Sequence, residues 1–175
     1  MMTKNDYLEV LFTKDEIDKK VSELSKIISK DYKDKNLVCI GVLNGAYAFY
    51  SDLVRCLDIP AEVDFIRAKS YVGETSAGNV DIHLDMKNSI KGKDVLVVED
   101  ILDTGRTLSE IKKKLLEQNP NSVKFAVFLD KPSRRIKGFE ADYKCFEIDD
   151  LFVVGYGLDF DEQYRNLPFV AVYKG

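Results

Sequence analysis

Residues 95–108 read VLVVEDILDTGRTL and combine an apolar run, three carboxylates and a small polar turn. The run Val95–Val98 is mostly β-branched, which favours a strand buried on both faces of a sheet. A helix is predicted to begin at Arg106 and to end at Asn119-Pro120. Its apolar positions, at helical spacing, are Leu108, Ile111, Leu115 and Leu116. The polar turn is therefore expected at the carboxyl edge of an α/β sheet, where such folds bind ligands.

The turn carries two kinds of group that suit different parts of one ligand. Backbone N–H groups around Thr104–Thr107 lie at the predicted helix N-terminus, where they would face a bound anion. Glu99 and Asp100 would repel a phosphate, and they suit hydroxyl groups or a hard divalent cation instead. The turn thus predicts a phosphorylated sugar together with Mg2+. An ordinary strand-to-helix turn with solvated carboxylates is the alternative.

The rest of the chain alternates strands with helices, which predicts an α/β fold with a mainly parallel central sheet flanked by helices. A capping box of Thr13 and Glu16 opens an amphipathic helix over residues 13–30, and a second helix is expected over about 46–57. Further strands are predicted at 37–42, 61–68, 79–85, 123–129 and 168–173. Residues 136–160 and the end of the chain look like additions to this core.

Three other segments carry candidate functional residues. Leu43-Asn44-Gly45 is a second strand-to-helix turn whose glycine permits close approach to an anion, although a plain tight turn is the commoner explanation. Residues 70–78 have the composition of a mobile loop, so Ser70 and Tyr71 are candidates for a lid, and a simple hairpin connection fits equally well. Residues 151–159 mix aromatic and small side chains, as a site for a flat ligand does, and a core strand is the alternative.

A group of cations follows the predicted strand at 123–129. Lys131 comes just after the end of this strand and is expected at the ligand-binding edge of the sheet. The next three cations, Arg134, Arg135 and Lys137, are expected to be solvated loop residues.

Composition argues against several classes of protein. The chain has 175 residues, 45% hydrophobic and 32% charged, as a soluble single domain does. A net charge of −4 argues against a nucleic-acid partner, and no apolar run approaches the roughly 20 residues of a membrane span. No secretory signal is predicted, so we expect a cytoplasmic location. Cys39, Cys56 and Cys145 lack CxxC spacing and are expected to be reduced packing residues, and His83, the only histidine, a polar strand residue.

The motifs together resemble those of the bacterial hypoxanthine-guanine phosphoribosyltransferases, within the type I phosphoribosyltransferases. Residues 95–108 are similar to the family signature for 5-phosphoribosyl 1-pyrophosphate (PRPP). The similarity continues, in the same order, through Val42–Ala46, Ser70-Tyr71, Asp130–Arg135 and Phe152–Arg165. The resemblance implies the type I phosphoribosyltransferase fold, with a single domain at 1–175 and a small hood subdomain from about 1–12 and 136–175.

The resemblance also implies an activity, a cofactor and an assembly. The activity is transfer of the 5-phosphoribosyl group from PRPP to N9 of a 6-oxopurine (hypoxanthine, guanine or both), a reaction of purine salvage that releases pyrophosphate. Mg2+ is the implied cofactor, and a homodimer or homotetramer is the implied assembly, with no nucleic acid or membrane as partner. A PRPP-sensing regulator that binds nucleic acid on the same fold is the alternative, and it usually adds a basic surface.

Roles for individual residues follow from the same resemblance. The ribose phosphate of PRPP would contact Glu99, Asp100, Asp103, Thr104, Gly105, Arg106 and Thr107. Pyrophosphate would contact Leu43, Asn44, Gly45 and Arg165. The purine would contact Ile101, Lys131, Phe152, Val153 and Asp159, with Lys131 at the 6-oxo oxygen and Phe152 stacked on the ring. Mg2+ would be held by Glu99, Asp100 and Asp159. Asp103 would be the general base at purine N7, and Ser70 and Tyr71 would belong to the lid.

Asn44 departs from the family pattern. Many members carry Lys or Arg at this position, in a turn that often contains a non-proline cis peptide. Asn44 donates hydrogen bonds but supplies no charge, so the sequence leaves open both the cis bond and the role of this side chain. It also leaves open the preference among hypoxanthine, guanine and xanthine, which share the 6-oxo group.

Overall fold

The structure is a computed structural model that describes residues 7–70, 80–83, 86–135 and 138–175. The strands are β1 (Leu8–Phe12), β2 (Leu37–Leu43), β3 (Glu62–Ser70), β4 (Val80–His83), β5 (Asp94–Leu102), β6 (Ser122–Asp130), β7 (Tyr143–Glu147), β8 (Val153–Val154) and β9 (Val170–Tyr173). The helices are α1 (Lys14–Asp31), α2 (Tyr47–Arg55) and α3 (Arg106–Leu116), and a short 3₁₀ turn covers Pro132–Arg134.

The main sheet has the strand order β4-β3-β2-β5-β6-β7. Its strands run parallel except β4, which is antiparallel to β3. This confirms the predicted α/β fold with a mainly parallel sheet. From β2 the chain continues to β3 on one side, whereas β5 continues to β6 on the other. The carboxyl ends of β2 and β5 therefore form a topological switch point, which is where open α/β sheets bind ligands.

The main sheet separates two apolar cores. On one face, α1 and α2 pack against the sheet, and on the other face α3 packs against it. Strand β5 contributes Leu96 and Val98 to the first core and Val95 and Val97 to the second. The predicted burial of this strand on both faces is confirmed, so the residues that follow it start from a rigid base.

Strand β5 is longer than the sequence suggested. The apolar run ends at Val98, but pairing with β6 continues to Leu102, which lies opposite Asp130. The polarity of Glu99 and Asp100 implied that they belong to the turn, but both are strand residues. Extension of a strand by its neighbour is a non-local effect that the polarity of the residues does not reveal.

A second, antiparallel sheet has the order β1-β9-β8 and combines both ends of the described chain. It draws on both of the segments expected to form the hood, and the hood itself stays a prediction. Residues 143–147, which the expected hood boundaries included, form β7 and pair in parallel with β6 of the main sheet. The C-terminal contribution to the small sheet starts at β8, at Val153.

Local signals at α1 behave as the sequence predicts. Thr13 is the N-cap, and its backbone N–H donates to Glu16 Oε2 at 2.8 Å, while the Glu16 N–H donates to Thr13 Oγ1 at 3.4 Å. This reciprocal pair is the predicted capping box. Within the described ranges, no helix combines the length and the apolar character needed to cross a membrane.

The cysteines differ in environment. Cys39 and Cys145 are buried, and burial raises the pKa of each thiol to about 12. Cys56 is exposed at the end of α2, so the expectation of a packing role is wrong for this residue. Cys56 comes directly after the last residue of α2, where the helical spacing of apolar residues no longer indicates which side chains are buried.

Candidate active site

The turns that follow β2 and β5 are in direct contact. A Cβ atom placed on Gly45 would lie 1.6 Å from Asp100 Oδ2, so any side chain at position 45 would displace the Asp100 carboxylate. The neighbouring Leu43–Asn44 peptide bond is cis. The structure thus brings the expected pyrophosphate turn, Leu43-Asn44-Gly45, against the acidic end of β5.

The two adjacent carboxylates at the end of β5 form an anionic site with little access to water. The Asp100 N–H donates to Glu99 Oε1 at 3.0 Å, and the Ile101 N–H donates to Asp100 Oδ1 at 2.7 Å. Glu99 is 8% exposed, and burial, followed by the negative charge of Asp100, raises its pKa well above the ordinary 4.5. Burial also raises the pKa of Asp100, against opposing effects that include the positive charge of Arg165. A divalent cation would supply the missing countercharge.

The start of α3 offers backbone donors to an anion. Gly105 is the N-cap, with φ of +81°, a left-handed conformation that favours glycine. Because this residue has no side chain to cap the helix, the N–H groups of the first turn are left to other acceptors, and the Thr107 N–H is available to a ligand. The Thr104 hydroxyl accepts a long hydrogen bond from the Arg106 N–H at 3.4 Å. These features suit a phosphate.

Arg165 reaches the same region from the segment between β8 and β9. Its guanidinium donates to the Gly157 carbonyl at 2.9 Å and forms a 2.9 Å ion pair with Asp159 Oδ1. The Arg165 carbonyl accepts a hydrogen bond from the Tyr47 hydroxyl at 2.9 Å. A Cβ atom on Gly157 would lie 2.0 Å from the Gly45 carbonyl oxygen. Arg165 is therefore held beside the turn that follows β2.

A candidate base-binding side lies at the end of β6 and the start of β8. The Lys131 N–H donates to the Leu102 carbonyl at 2.9 Å, and the largely buried Lys131 ammonium lies 3.5 Å from Asp150 Oδ1. Phe152 precedes β8 and is 54% exposed, whereas Val153 is buried. A cation and an open aromatic ring are thus available to a flat polar ligand.

The Phe152 ring is supported from behind by other aromatic rings. It meets Phe160 edge-on, with 5.8 Å between centroids and 90° between planes, and it meets Tyr173 at 6.2 Å and 70°. Phe160 and Tyr173 stack on each other at 4.7 Å. Because Phe152 is exposed over about half of its surface in spite of these contacts, much of its ring remains accessible to a ligand.

Asp103 is held by two arginines that the sequence analysis assigned to a solvated loop. For Arg135 this expectation is wrong, because its side chain is only 7% exposed. The guanidinium pairs with Asp130 and donates to the Asp103 carbonyl at 3.0 Å. Arg134 is half exposed, but its Nε lies 2.8 Å from Asp103 Oδ1 and its Nη1 lies 3.2 Å from both Asp150 oxygens. Lys137 lies outside the described residues.

Comparison with known proteins decides the family. The family described as the phosphoribosyl transferase domain matches residues 11–161. The chain belongs to this phosphoribosyltransferase family. It is 45% identical over 174 residues to the hypoxanthine-guanine phosphoribosyltransferase of Streptococcus pneumoniae, covering 99% of this chain and 97% of that protein.

Solved structures of phosphoribosyltransferases have the same fold. A hypoxanthine phosphoribosyltransferase from Staphylococcus aureus superposes with a TM-score of 0.92 at 45% identity, over 97% of this chain and 94% of that one. A hypoxanthine phosphoribosyltransferase from Trypanosoma cruzi, a lysine-to-arginine mutant solved as a ternary substrates complex, gives 0.89 at 40% identity, over 96% of each chain. The expected type I phosphoribosyltransferase fold is confirmed.

Some expected site residues of this phosphoribosyltransferase are not brought into the cluster. Ser70 ends β3, and Tyr71 lies outside the described residues, so the lid stays a prediction. Asp159 has its oxygens engaged by Arg165 and by the Glu162 N–H at 3.0 Å. Among the described residues, no three Asp, Glu, His or Cys side chains come close enough to hold a metal together.

Several residues of the site were not predicted from the sequence, namely Tyr47, Arg134, Arg135, Asp150 and Gly157. One signal was available for Arg135. Asp130 ends a strand that is buried along most of its length, and a buried carboxylate requires a nearby cation. Arg135 and Lys144 provide that charge, the latter at 3.0 Å from Asp130 Oδ2.

Proposed function

We propose that this phosphoribosyltransferase transfers the 5-phosphoribosyl group of PRPP to N9 of a 6-oxopurine, hypoxanthine or guanine, and releases pyrophosphate. The observation that carries the proposal is the contact between Asp100 and Gly45. It places the turn after β2 against the acidic pair, close enough to Arg165 for that positive charge to oppose the rise in the pKa of Asp100. The relatives named hypoxanthine-guanine phosphoribosyltransferase support the class of base. The reaction belongs to purine salvage.

In this proposal each part of PRPP has its own binding element. Glu99 and Asp100 accept hydrogen bonds from the ribose hydroxyls. The 5′-phosphate is bound before and at the start of α3, by backbone N–H groups between Asp103 and Thr107 and by the hydroxyls of Thr104 and Thr107. Pyrophosphate is bound by Leu43, Asn44, Gly45 and Arg165. Asn44 contributes donors without charge, so Arg165 is the cation assigned to the leaving group.

We also propose Mg2+ as the cofactor. The buried pair of Glu99 and Asp100 fits a hard cation with oxygen ligands, and Mg2+ commonly takes only one or two carboxylates together with water and substrate phosphates. Among the described residues no three such side chains come together, so Asp159 does not join Glu99 and Asp100 at one ion. Asp159, beside Arg165, is assigned to a second ion near pyrophosphate. When bound, Mg2+ neutralises negative charge that develops on the leaving group.

The base is assigned to the opposite side of the ribose. Lys131 donates to the 6-oxo oxygen, Phe152 stacks on one face of the ring, and Ile101 contacts the other face. Backbone atoms of Val153, together with Asp159, meet the exocyclic edge. Asp103 accepts the proton from N7, a general-base contribution of the order of 10²–10⁴-fold.

The chemistry explains why these groups surround the ribose. Loss of pyrophosphate leaves positive charge on the sugar, and nearby carboxylates stabilise such charge as they do in glycoside hydrolysis. Arg165 stabilises the negative charge that leaves. Water must be excluded, because it would otherwise hydrolyse PRPP, and this is the role assigned to the Ser70 and Tyr71 lid.

The chain is proposed to work in the cytoplasm as a homodimer or homotetramer. This assembly is the one that the family resemblance implies, and several apolar side chains are exposed, among them Val63 and Phe65 on β3. Light scattering after size-exclusion chromatography measures the assembly directly, and a monomer at micromolar concentration contradicts this part of the proposal.

The proposed function is tested by one PRPP-dependent assay with five bases side by side. With Mg2+ present, hypoxanthine and guanine are expected to give nucleotide and pyrophosphate. Xanthine, adenine and uracil serve as the comparison set. Nucleotide formed from adenine or uracil, with none from hypoxanthine and guanine, would contradict the assignment of Lys131 to a 6-oxo group.

A further inference from the structure

We infer that Arg134 is a positioning residue for proton transfer at the base, an inference that rests on the proposed function. It holds the Asp103 carboxylate from one side and Asp150 from the other. In doing so it directs the free part of Asp103 toward the bound purine.

Asp103 is both partly exposed and paired with an arginine. Its side chain is 41% exposed, although Arg134 Nε lies only 2.8 Å from Oδ1. Oδ1 is itself buried and accepts no hydrogen bond from the described residues, so the contact is an ion pair without hydrogen-bond alignment. The exposed surface therefore belongs to the rest of the Asp103 side chain. Arg134 covers one oxygen and leaves the remainder of the carboxylate facing outward.

The other end of the Arg134 side chain contacts a second carboxylate, Asp150. Its Nη1 contacts both oxygens of Asp150 at 3.2 Å, and the same carboxylate lies 3.5 Å from the Lys131 ammonium. The charges alternate along the series Lys131, Asp150, Arg134 and Asp103. Arg134 thus connects the residue assigned to the 6-oxo oxygen with the residue assigned to N7, which are neighbouring atoms on one edge of a purine.

Arg134 and Arg135 differ in their exposure and in the part of Asp103 that they contact. Arg135 is buried and holds the Asp103 carbonyl, so it fixes the backbone of the turn. Arg134 is 47% exposed and holds the side chain. Ion pairs of this exposed type contribute little to stability. Replacement of Arg134 is therefore expected to leave the fold intact and to change the orientation of Asp103.

The decisive measurement is the single-turnover rate of nucleotide formation from hypoxanthine and PRPP, in two backgrounds. In the natural chain, Arg134→Ala is expected to lower this rate by about 10- to 100-fold, as misplacement of a reacting group does. The KM for PRPP should not change. In the Asp103→Asn background, Arg134→Ala is expected to cause no further loss, because both changes remove the same contribution.

Two further variants distinguish the orientation of Asp103 by Arg134 from a general effect of losing a positive charge. Arg134→Lys is expected to recover part of the rate, since one ammonium pairs with one carboxylate but cannot span both. Lys20→Ala removes another exposed cation that is paired with a carboxylate, 3.8 Å from Glu23 on α1, and should leave the rate unchanged.

The possible failures can be distinguished. An unchanged rate in Arg134→Ala overturns the inference while the proposed function stands. An equal loss from Arg134→Ala in both backgrounds also overturns it, since Arg134 would then act without Asp103. Full turnover in Asp103→Asn overturns both the inference and the assigned base. A natural chain that forms no nucleotide from PRPP and hypoxanthine refutes the proposed function itself.

Discussion

Glu99 and Asp100 combine two properties that rarely coexist in one pair of residues. They are the last polar residues before the end of a strand buried on both faces, and they are adjacent carboxylates. Burial removes water from the two carboxylates and disfavours their charged forms, so the pKa of each is raised. The cost of this arrangement is expected to appear as a pH dependence of stability.

Glu99→Gln is predicted to stabilise the metal-free protein at neutral pH. A carboxyl whose pKa is higher in the folded chain than in the unfolded chain binds its proton more tightly when folded. Its unfavourable effect is therefore absent well below the ordinary 4.5 and grows as pH rises from there toward the raised value. Each unit of difference corresponds to about 1.4 kcal/mol. Urea unfolding at a series of pH values measures the effect.

The control for this prediction is Glu110→Gln, a change at an exposed position of α3. It should leave the pH dependence of unfolding as it is in the natural chain. If Glu99→Gln and Glu110→Gln give the same dependence on pH, Glu99 does not carry the strain that its burial implies.

Phe152→Ala is predicted to raise the KM for the purine and to leave the KM for PRPP nearly unchanged. Stacking of a base on an aromatic side chain contributes about 1–3 kcal/mol, which corresponds to roughly 5- to 150-fold. Phe152→Tyr keeps the ring and should stay within a few-fold of the natural enzyme. Steady-state kinetics with each substrate varied in turn test the prediction, and an unaltered purine KM in Phe152→Ala refutes the stacking role.

At the scale of elements, the sequence predicts best what neighbouring residues determine. The capping box of α1 involves residues three apart, and the structure reproduces it. The end of β5 and the membership of β7 in the main sheet depend on pairing with β6, which is distant in the chain. Such partners are invisible in a local pattern, so β5 was predicted too short and β7 was assigned to the hood.

Thr13→Ala is predicted to lower the free energy of unfolding by about 1 kcal/mol, because the N-cap hydroxyl accepts from the Glu16 N–H. Thr13→Ser keeps that acceptor and should retain most of the stability. Urea denaturation of the three proteins measures the difference, while turnover should stay constant because none of the residues assigned to the substrates lies on α1. Equal losses in both variants indicate that the methyl group, not the cap, contributes the stability.

The sequence predicted the part of the candidate site whose residues are close together in the chain. Residues 99–107 combine carboxylates, a glycine N-cap and threonines in one short segment, which covers the end of β5 and the start of α3. The contacts of Arg134 and Arg135 with Asp103 join two different turns, each after its own strand. Only the alignment of β5 beside β6 brings these turns together, which is why a run of charges looked like solvated loop.

At the scale of the whole molecule, the site is built from both sheets. The main sheet supplies Asp100 and Lys131, and the segment between two strands of the small sheet supplies Arg165. The positive charge of Arg165 acts on Asp100, and Gly157 lies against the Gly45 carbonyl, so the two parts are in contact. Substrates that bridge these parts should therefore stabilise the entire fold.

Mg2+ together with PRPP is predicted to raise the melting temperature, and excess EDTA is predicted to abolish turnover. A ligand at 100 times its Kd contributes about 2.7 kcal/mol to the folded state. Differential scanning fluorimetry with PRPP alone, Mg2+ alone and both together reports the coupling, and restored activity after added Mg2+ is the control for EDTA. Turnover that persists in excess EDTA would show that the reaction needs no divalent metal.

The crossing of two chain segments at Gly45 and Gly157 restricts which variants a population of this gene can carry. A methyl group at position 45 would collide with the Asp100 carboxylate, and one at position 157 would collide with the Gly45 carbonyl. No missense change at either codon avoids adding such a group. Saturation libraries of these two codons, selected for working enzyme, should therefore return glycine alone, and a substitution at one site should not rescue a substitution at the other.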